Sequence, residues 1–293
     1  MLSILIPTLN RPAFLERTLG YLRAQGFAGQ IIVGDGSFDD TSALCRRFAA
    51  ERLDCRRLNQ QQTFGAMADA LRTPYAVYCG DDDFLIPSGL AACVKALERT
   101  RDYRVARGHG LVINANGAHG IPFQLEPYQQ QRVNGIPPLG TFVDALTDYR
   151  PALFSVHHTF VWQEMFRCSR AMKDKWMGAE IAPSLVSASF SRTLVLDIPY
   201  LARQIHQERY GEPMGEPWFT SQDVQDDSIA LLDQLRFQGE PRRIAWNALH
   251  RYMVGYQQSP ASVRARFWKA EKIMGEAWFR AIHEAMMPEG LAQ

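Results

Sequence analysis

The sequence predicts an α/β fold built on a mostly parallel sheet, followed by a helical extension. Two observations carry this. Short apolar runs alternate with helix-like segments through the first hundred residues, the spacing of βαβ units. After Gly211-Glu212-Pro213 the pattern becomes helical without strands, which places a boundary near 211–217.

Leu2 to Ile6 is an apolar run ending at Pro7, as in a strand buried on both faces. Thr8-Leu9-Asn10-Arg11 is a loop, with Asn10 or Arg11 near the cap of a helix and Pro12 in its first turn. Leu15, Leu19 and Leu22 share one helical face, and Gly26 ends the helix. Ile31-Ile32-Val33 is a second strand and opens into the acidic loop Gly34 to Thr41. A helix with Leu44 and Phe48 inward follows, then a strand over Cys55–Leu58 and a helix over Phe64–Leu71. Tyr75 to Cys79 is the fourth strand, with Asp81-Asp82-Asp83 at its C-terminal end and Ser88 capping the next helix.

Residues 103–165 alternate short apolar runs with Gly- and Pro-rich stretches, and 115–138 reads as a loop over the site. Trp176–Ser191 reads as a helix and Arg192–Ile198 as a strand. In the extension, Ile229, Leu232 and Leu235, then Trp246, Leu249 and Met253, mark inward faces.

Composition narrows the class. A net charge of +1 over 293 residues gives no reason to expect nucleic acid or an anionic membrane as the main partner. Five scattered cysteines without a C-x-x-C pair point to reduced thiols, not to a disulfide framework or a zinc site. With no basic apolar leader and no stretch of about 20 apolar residues, the expected location is cytoplasmic.

The Asp triplet is the strongest chemical signal. Adjacent carboxylates repel, and their neighbours are apolar enough to be partly buried, so a compensating positive charge such as a hydrated divalent cation is expected. A solvated acidic turn is the alternative. In open sheets ligands sit beyond the carboxyl ends of the strands, and the Asp35 loop and the triplet both occupy that edge.

The order of these motifs resembles the family 2 inverting glycosyltransferases of GT-A fold. Ile4-Leu5-Ile6-Pro7-Thr8-Leu9-Asn10-Arg11 looks like that family's opening strand and P-T-x-N-R loop. Val33-Gly34-Asp35-Gly36-Ser37-Phe38-Asp39-Asp40-Thr41 resembles its V-D-D-G-S-x-D-x-T loop, with Gly34 in place of the first Asp. Asp81 to Asp83 looks like the D-x-D metal site, with Pro87 following. The likeness runs over about the first two hundred residues; Thr73-Pro74-Tyr75 through Asp83-Phe84, with Phe154-Ser155-Val156-His157, is similar to a bacterial branch of the family. It implies a GT-A domain over 1–210, with a nucleotide-binding half at 1–100 and an acceptor-side half at 101–210, and a helical extension over 211–293.

The resemblance also implies a metal-dependent transferase using Mn²⁺ or Mg²⁺ and a nucleotide-sugar, linked to uridine diphosphate. Its acceptor would be a saccharide, a lipid-linked saccharide or a protein. Counting back from Pro87 puts Gly80 at the family's first Asp and Asp82 at its metal ligand, and leaves Asp81 and Asp83 to ribose or to the metal through water. Asp83 is a further candidate for the metal shell, and His206, in an R-x-x-H-like segment from Arg203, would complete that shell or touch the diphosphate, with a structural His as its other reading. Pro7, Thr8, Asn10, Arg11, Asp35 and Asp81 are expected at the nucleotide: Asp35 on the base edge, Arg11 on phosphate or capping its loop.

The family's Glu-Asp pair is missing from Met177–Pro183, so Glu180 is the candidate base by position, with an ordinary surface Glu as its other reading. Asp197, in a strand read as buried, is the alternative. Of His157 and His158, opposite on a strand, only one can reach a shared site. The aromatic and Met content of 246–280 reads as helix core, with lipid or partner docking as the alternative. Competing functions are a degenerate nucleotide-sugar-binding protein and a sugar nucleotidyltransferase. The latter lacks its G-x-G-x-R loop, and no G-x-G-x-x-G supports a dehydrogenase.

Overall fold

A computed structural model describes residues 1–114, 124–128, 130, 133–147, 149–205 and 221–258. In chain order the first half comprises β1 (Leu2–Thr8), α1 (Pro12–Ala24), β2 (Gln30–Asp35), α2 (Ser42–Arg47), β3 (Glu51–Asp54), α3 (Gln60–Asp69), β4 (Tyr75–Tyr78), β5 (Phe84–Leu85) and α4 (Pro87–Arg99). The rest comprises β6 (Val105–Asn114), β7 (Gln124–Tyr128), α5 (Leu139–Thr147), β8 (Val156–His158), α6 (Thr159–Ser169), a π-turn (Met177–Ile181), α7 (Ala182–Phe190), β9 (Thr193–Ile205), α8 (Gln222–Gln234) and α9 (Gly239–Gln258).

One sheet runs in the order β3-β2-β1-β4-β8-β6-β9-β5, with β7 paired to β6. Its first four strands are all parallel, as expected of βαβ units. Antiparallel β8 then joins this half to a second one, in which β9 runs parallel to β6 and antiparallel to β5.

The apolar runs are continuous because both sheet faces are covered. Ile4, Ile6, Ile31, Val33 and Val77 pack on α1 and α4 through Leu15, Leu19, Leu22, Leu90 and Leu97. Leu5, Ile32 and Ala76, one residue out of phase, pack on the opposite layer with Phe64, Met67, Trp162, Phe166 and Leu185. Each buried Leu, Ile, Val, Met or Phe among them contributes about 1.5–3 kcal/mol by leaving water. The described helices of the extension join the second layer through Val224, Leu231, Leu232, Leu249 and Met253. The expected boundary at 211–217 lies outside the described residues.

Several elements depart from expectation. The third strand is Glu51–Asp54, not Cys55–Leu58; it is a sheet edge, where charged side chains replace the apolar signal. Helix α3 starts at Gln60 because Asn59 and Gln62 form a reciprocal capping box. Pro87, not Ser88, opens α4, with Ile86 at the cap position. Residues 124–128 of the expected loop form a strand. The strand expected at 192–198 runs on to Ile205, so Tyr200–Ile205 lies within β9 and not after it. Leu44 and Phe48 do turn inward, half-buried against the first layer, and Cys45 beside them is the fully buried residue of the helix. Ile229 faces outward at 43% exposure, because α8 turns Val224, Ser228 and Leu231 inward at i, i+4 and i+7.

The five cysteines are free and buried. Among the described residues, no helix is long and apolar enough to cross a membrane.

Candidate active site

The C-terminal ends of β1, β2 and β4 meet at one edge of the sheet, where Thr8 stands beside Asp35 in register. The chain leaves β4 through a turn closed by the Asp83 N–H on the Gly80 carbonyl at 3.1 Å. Asp81 and Asp82 form the tip of this turn and Asp83 its base.

Arginines supply the expected positive charge. Arg11 spans the tip, donating from Nη1 to Asp81 Oδ1 at 2.7 Å and from Nη2 to Asp82 Oδ2 at 2.9 Å. Thr8 Oγ1 donates to the other Asp81 oxygen at 2.8 Å. Helix α1 holds the turn's backbone: Thr18 Oγ1 donates to the Asp81 carbonyl at 2.6 Å and Arg17 Nη2 to that of Asp82 at 3.1 Å. Phe14 lies beneath both guanidinium groups, 4.3 Å from Arg11 and 5.0 Å from Arg17. Burial still pushes the Asp81 carboxyl up to about 6, against the pull of Arg11 and the Thr8 hydrogen bond.

Asp83 points the other way. Only 1% exposed, it accepts from Arg203 Nε at 3.2 Å and from the Gln204 N–H at 3.1 Å. Burial raises its carboxyl pKa, with Arg203 opposing. The Asp83 expected in a metal shell is therefore engaged by β9.

Asp35 is wholly buried. It accepts from the Ser37 N–H at 2.8 Å, from Thr41 Oγ1 at 2.6 Å and from Arg52 Nε at 2.8 Å. Burial alone would raise its pKa; the Thr41 and Ser37 bonds, with Arg52, overrule it and hold it low. The carboxylate shapes the loop, an Asx turn ahead of Gly36. Asn10, at φ 55°, ties the first loop to this one: its N–H donates to Ser37 Oγ at 2.8 Å and its Oδ1 accepts the Phe38 N–H at 3.0 Å. Pro7 stands opposite Gly34 in register. A Cβ on Gly34 would lie 2.8 Å from both Met67 Sδ and Thr63 Cγ2, so α3 fills the space that the family's first Asp would need.

Pro7, Thr8, Asn10, Arg11, Asp35 and Asp81–Asp83 are thus brought to one edge. Glu180 lies on the π-turn before α7, half-buried, where its charge adds to the burial that raises the Tyr149 phenol. Pro183 lacks the N–H an α-ladder needs, which accounts for the wider turn. Asp197 is fully exposed beside His109, not buried, because it lies at the irregular stretch of the β6–β9 ladder. Neither His157 nor His158 reaches the acid turn, since both pair with Tyr75–Ala76 at the opposite end of β4. His206 lies outside the described residues. Sequence reasoning gave no role to Arg17, Thr18, Arg52 or Arg203; Thr18 carried a signal, falling two turns beyond Arg11 on the same helix face.

A divalent cation fits this donor set. Carboxylate oxygens suit Mg²⁺ or Mn²⁺, and Asp82 is the most exposed of the three acids. A Cβ on Gly80 would lie 2.8 Å from both Asp82 Oδ1 and Asp83 Oδ2, so a side chain there would crowd the carboxylates, and its absence leaves Asp82 Oδ1 room for a partner. Among the described residues no three His, Cys, Asp or Glu side chains form a closed cage. Mg²⁺ itself prefers one or two carboxylates plus water and substrate phosphates.

Residues 3–147 match the family model described as Glycosyl transferase family 2. No curated protein matches the chain in sequence. Among solved structures, S. aureus TarS 1-349 aligns with a TM-score of 0.57 at 12% identity, covering 95% of this chain and 76% of that one. The same fragment in complex with UDP-GlcNAc gives 0.56 at 13%, covering 95% and 77%. Longer S. aureus TarS gives 0.52 at 12%, covering 88% of this chain but only 43% of its own. These likenesses concern the fold. The family match identifies residues 3–147 as a family 2 glycosyltransferase domain, and the likenesses agree with a GT-A fold.

Proposed function

We propose that this protein is a metal-dependent inverting transferase. It would move a sugar from a nucleotide-sugar, linked to uridine diphosphate, to a saccharide, lipid-linked or protein acceptor. The observation that carries the reading is the turn tip of Asp81 and Asp82, tied through the Thr8–Arg11 loop to the loop that Asp35 organises.

Asp82 would hold the cation, joined by His206 in the sequence-based reading. A bound divalent cation supplies charge that stabilises the departing diphosphate. Asp81 and Arg11 would face the ribose and phosphates, and Pro7 with Thr8 would wall the base pocket, with Asn10 in the same loop. Asp35 has no exposed surface, so it serves the base through the loop it shapes, or directly if Arg52 yields. In the transfer step the acceptor oxygen bonds to the anomeric carbon as the bond from that carbon to the diphosphate oxygen breaks. The electron pair leaves on that oxygen. Glu180 is proposed to take the acceptor's proton.

Donor hydrolysis or transfer with Mn²⁺, comparing wild type with Asp82→Ala, tests this reading. We expect a loss of about a hundredfold or more; unchanged activity would sink the role of Asp82.

A protein that binds a nucleotide-sugar without turning it over is the second reading, favoured by the α3 side chains packed against Gly34. Calorimetry that shows metal-dependent nucleotide binding, with no transfer to any acceptor, would favour it.

A further inference from the structure

We propose that Asp83 and Arg203 form a positioning pair that holds the base of the acid turn, so that Asp81 and Asp82 alone face ligand. This rests on the transferase reading above.

The turn has two functions distributed along it. Its tip residues engage Arg11, which side-chain motion can release. Its fourth residue closes the turn through its N–H and is anchored through both carboxylate oxygens, to Arg203 Nε and the Gln204 N–H. Arg203 is itself clamped. Its guanidinium lies 4.2 Å from the Phe154 ring centroid and 5.0 Å from that of Tyr128, and Nη1 donates to Tyr128 Oη at 3.1 Å. Phe154 in turn meets Tyr78, the last residue of β4, edge-on at 4.9 Å.

Four segments therefore converge on one ion pair: the β4 end with its turn, β7, the stretch before β8, and β9. A planar fork held against two aromatic rings that stand edge-on to each other, and bonded to Asp83 and Tyr128, permits little rotation, and a lysine could not reproduce it. Asp82 is bonded covalently to the residue so held. Its orientation is set by this anchor on one side and by the contacts of Arg17 and Thr18 to the turn carbonyls on the other.

The rival assignment, Asp83 as a direct metal ligand, predicts the opposite sign for one variant. If Asp83 bound the cation, Arg203 would compete with it, and Arg203→Gln would tighten the metal. If the pair positions the turn, the same change loosens it and weakens the metal.

Mn²⁺ affinity in the presence of uridine diphosphate is the readout. It is measured for wild type, Asp83→Asn, Arg203→Gln and the double variant, at a temperature where circular dichroism shows each folded. Each single change leaves one buried charge unpaired and should weaken Mn²⁺ about tenfold; the charge-neutral amide pair should return it to within about threefold of wild type. Three results overturn the pair: a double variant as weak as Asp83→Asn, a tighter Arg203→Gln, or folded single variants with unmoved affinity, which would make it merely structural. A wild-type protein that binds no uridine diphosphate at any Mn²⁺ concentration would instead overturn the transferase reading on which the pair depends.

Discussion

The two ends of β4 bury polar groups in opposite ways. At the C-terminal end three carboxylates are held by arginines, and two of them share the one guanidinium of Arg11. At the N-terminal end His157 is wholly buried, with Nδ1 2.8 Å from the Ser155 carbonyl and Nε2 2.9 Å from Ser187 Oγ. A carbonyl only accepts, so Nδ1 carries the proton and Nε2 accepts from the serine. Trp162 completes that end, donating from Nε1 to the Ala76 carbonyl at 3.2 Å. One end is neutral and closed. The other keeps charge under tension between acids and arginines, which is what a site that exchanges partners with a charged ligand requires.

If this contrast is right, changes at the closed end should cost stability and leave chemistry alone. Trp162→Ala, which empties a fully buried site, should cost about 3–5 kcal/mol in denaturant unfolding. Activity per folded molecule should not change. A loss of activity at temperatures where the variant is fully folded would break the contrast.

Acid should act on the same end. Burial, with His158 adding to it against the Ser155 bond, lowers the His157 pKa from 6.5 to about 4. The unfolded chain takes up this proton near pH 6.5 and the folded protein only near 4, so its contribution is full above 6.5 and falls as pH drops towards 4. The contribution is up to about 3 kcal/mol. His157→Gln should flatten the stability profile in that window; an equally steep profile in the variant would place the proton elsewhere.

The smallest effect sharpens the boundary between the regions. Asn59→Ala removes the capping box of α3, whose side chains Thr63 and Met67 lie against Gly34 in the Asp35 loop. It should cost about 1 kcal/mol of stability. Nucleotide affinity should stay within about twofold if α3 serves the loop as scaffold only.

What the sequence made legible follows from how local each interaction is. Strands β1 and β2 and helix α1 were readable because their apolar periodicity is written in adjacent residues. Strand β3 was misplaced because Glu51–Asp54 lies on an edge, with no apolar run to mark it. In α8, Ile229 misled because hydrophobicity alone does not say which of two neighbouring faces turns inward. The acid triplet and the need for positive charge beside it were plain. Arg11 was in view through the opening loop, but Arg203 lies 120 residues from Asp83, and charge carries no pairing information over that distance. The placement of the two histidines at the far end of β4 depended on the β4–β8 register, which no local pattern encodes.

The central claim is that the Asp82 end of β4, and not the His157 end, is the nucleotide site. Uridine diphosphate affinity, titrated against Mn²⁺ in wild type, Asp82→Ala and His157→Gln, tests it most directly. Mn²⁺ should tighten the nucleotide in wild type and in His157→Gln alike, and Asp82→Ala should lose that gain. An Asp82→Ala protein that retains it, or a folded His157→Gln protein that loses it equally, would contradict the account.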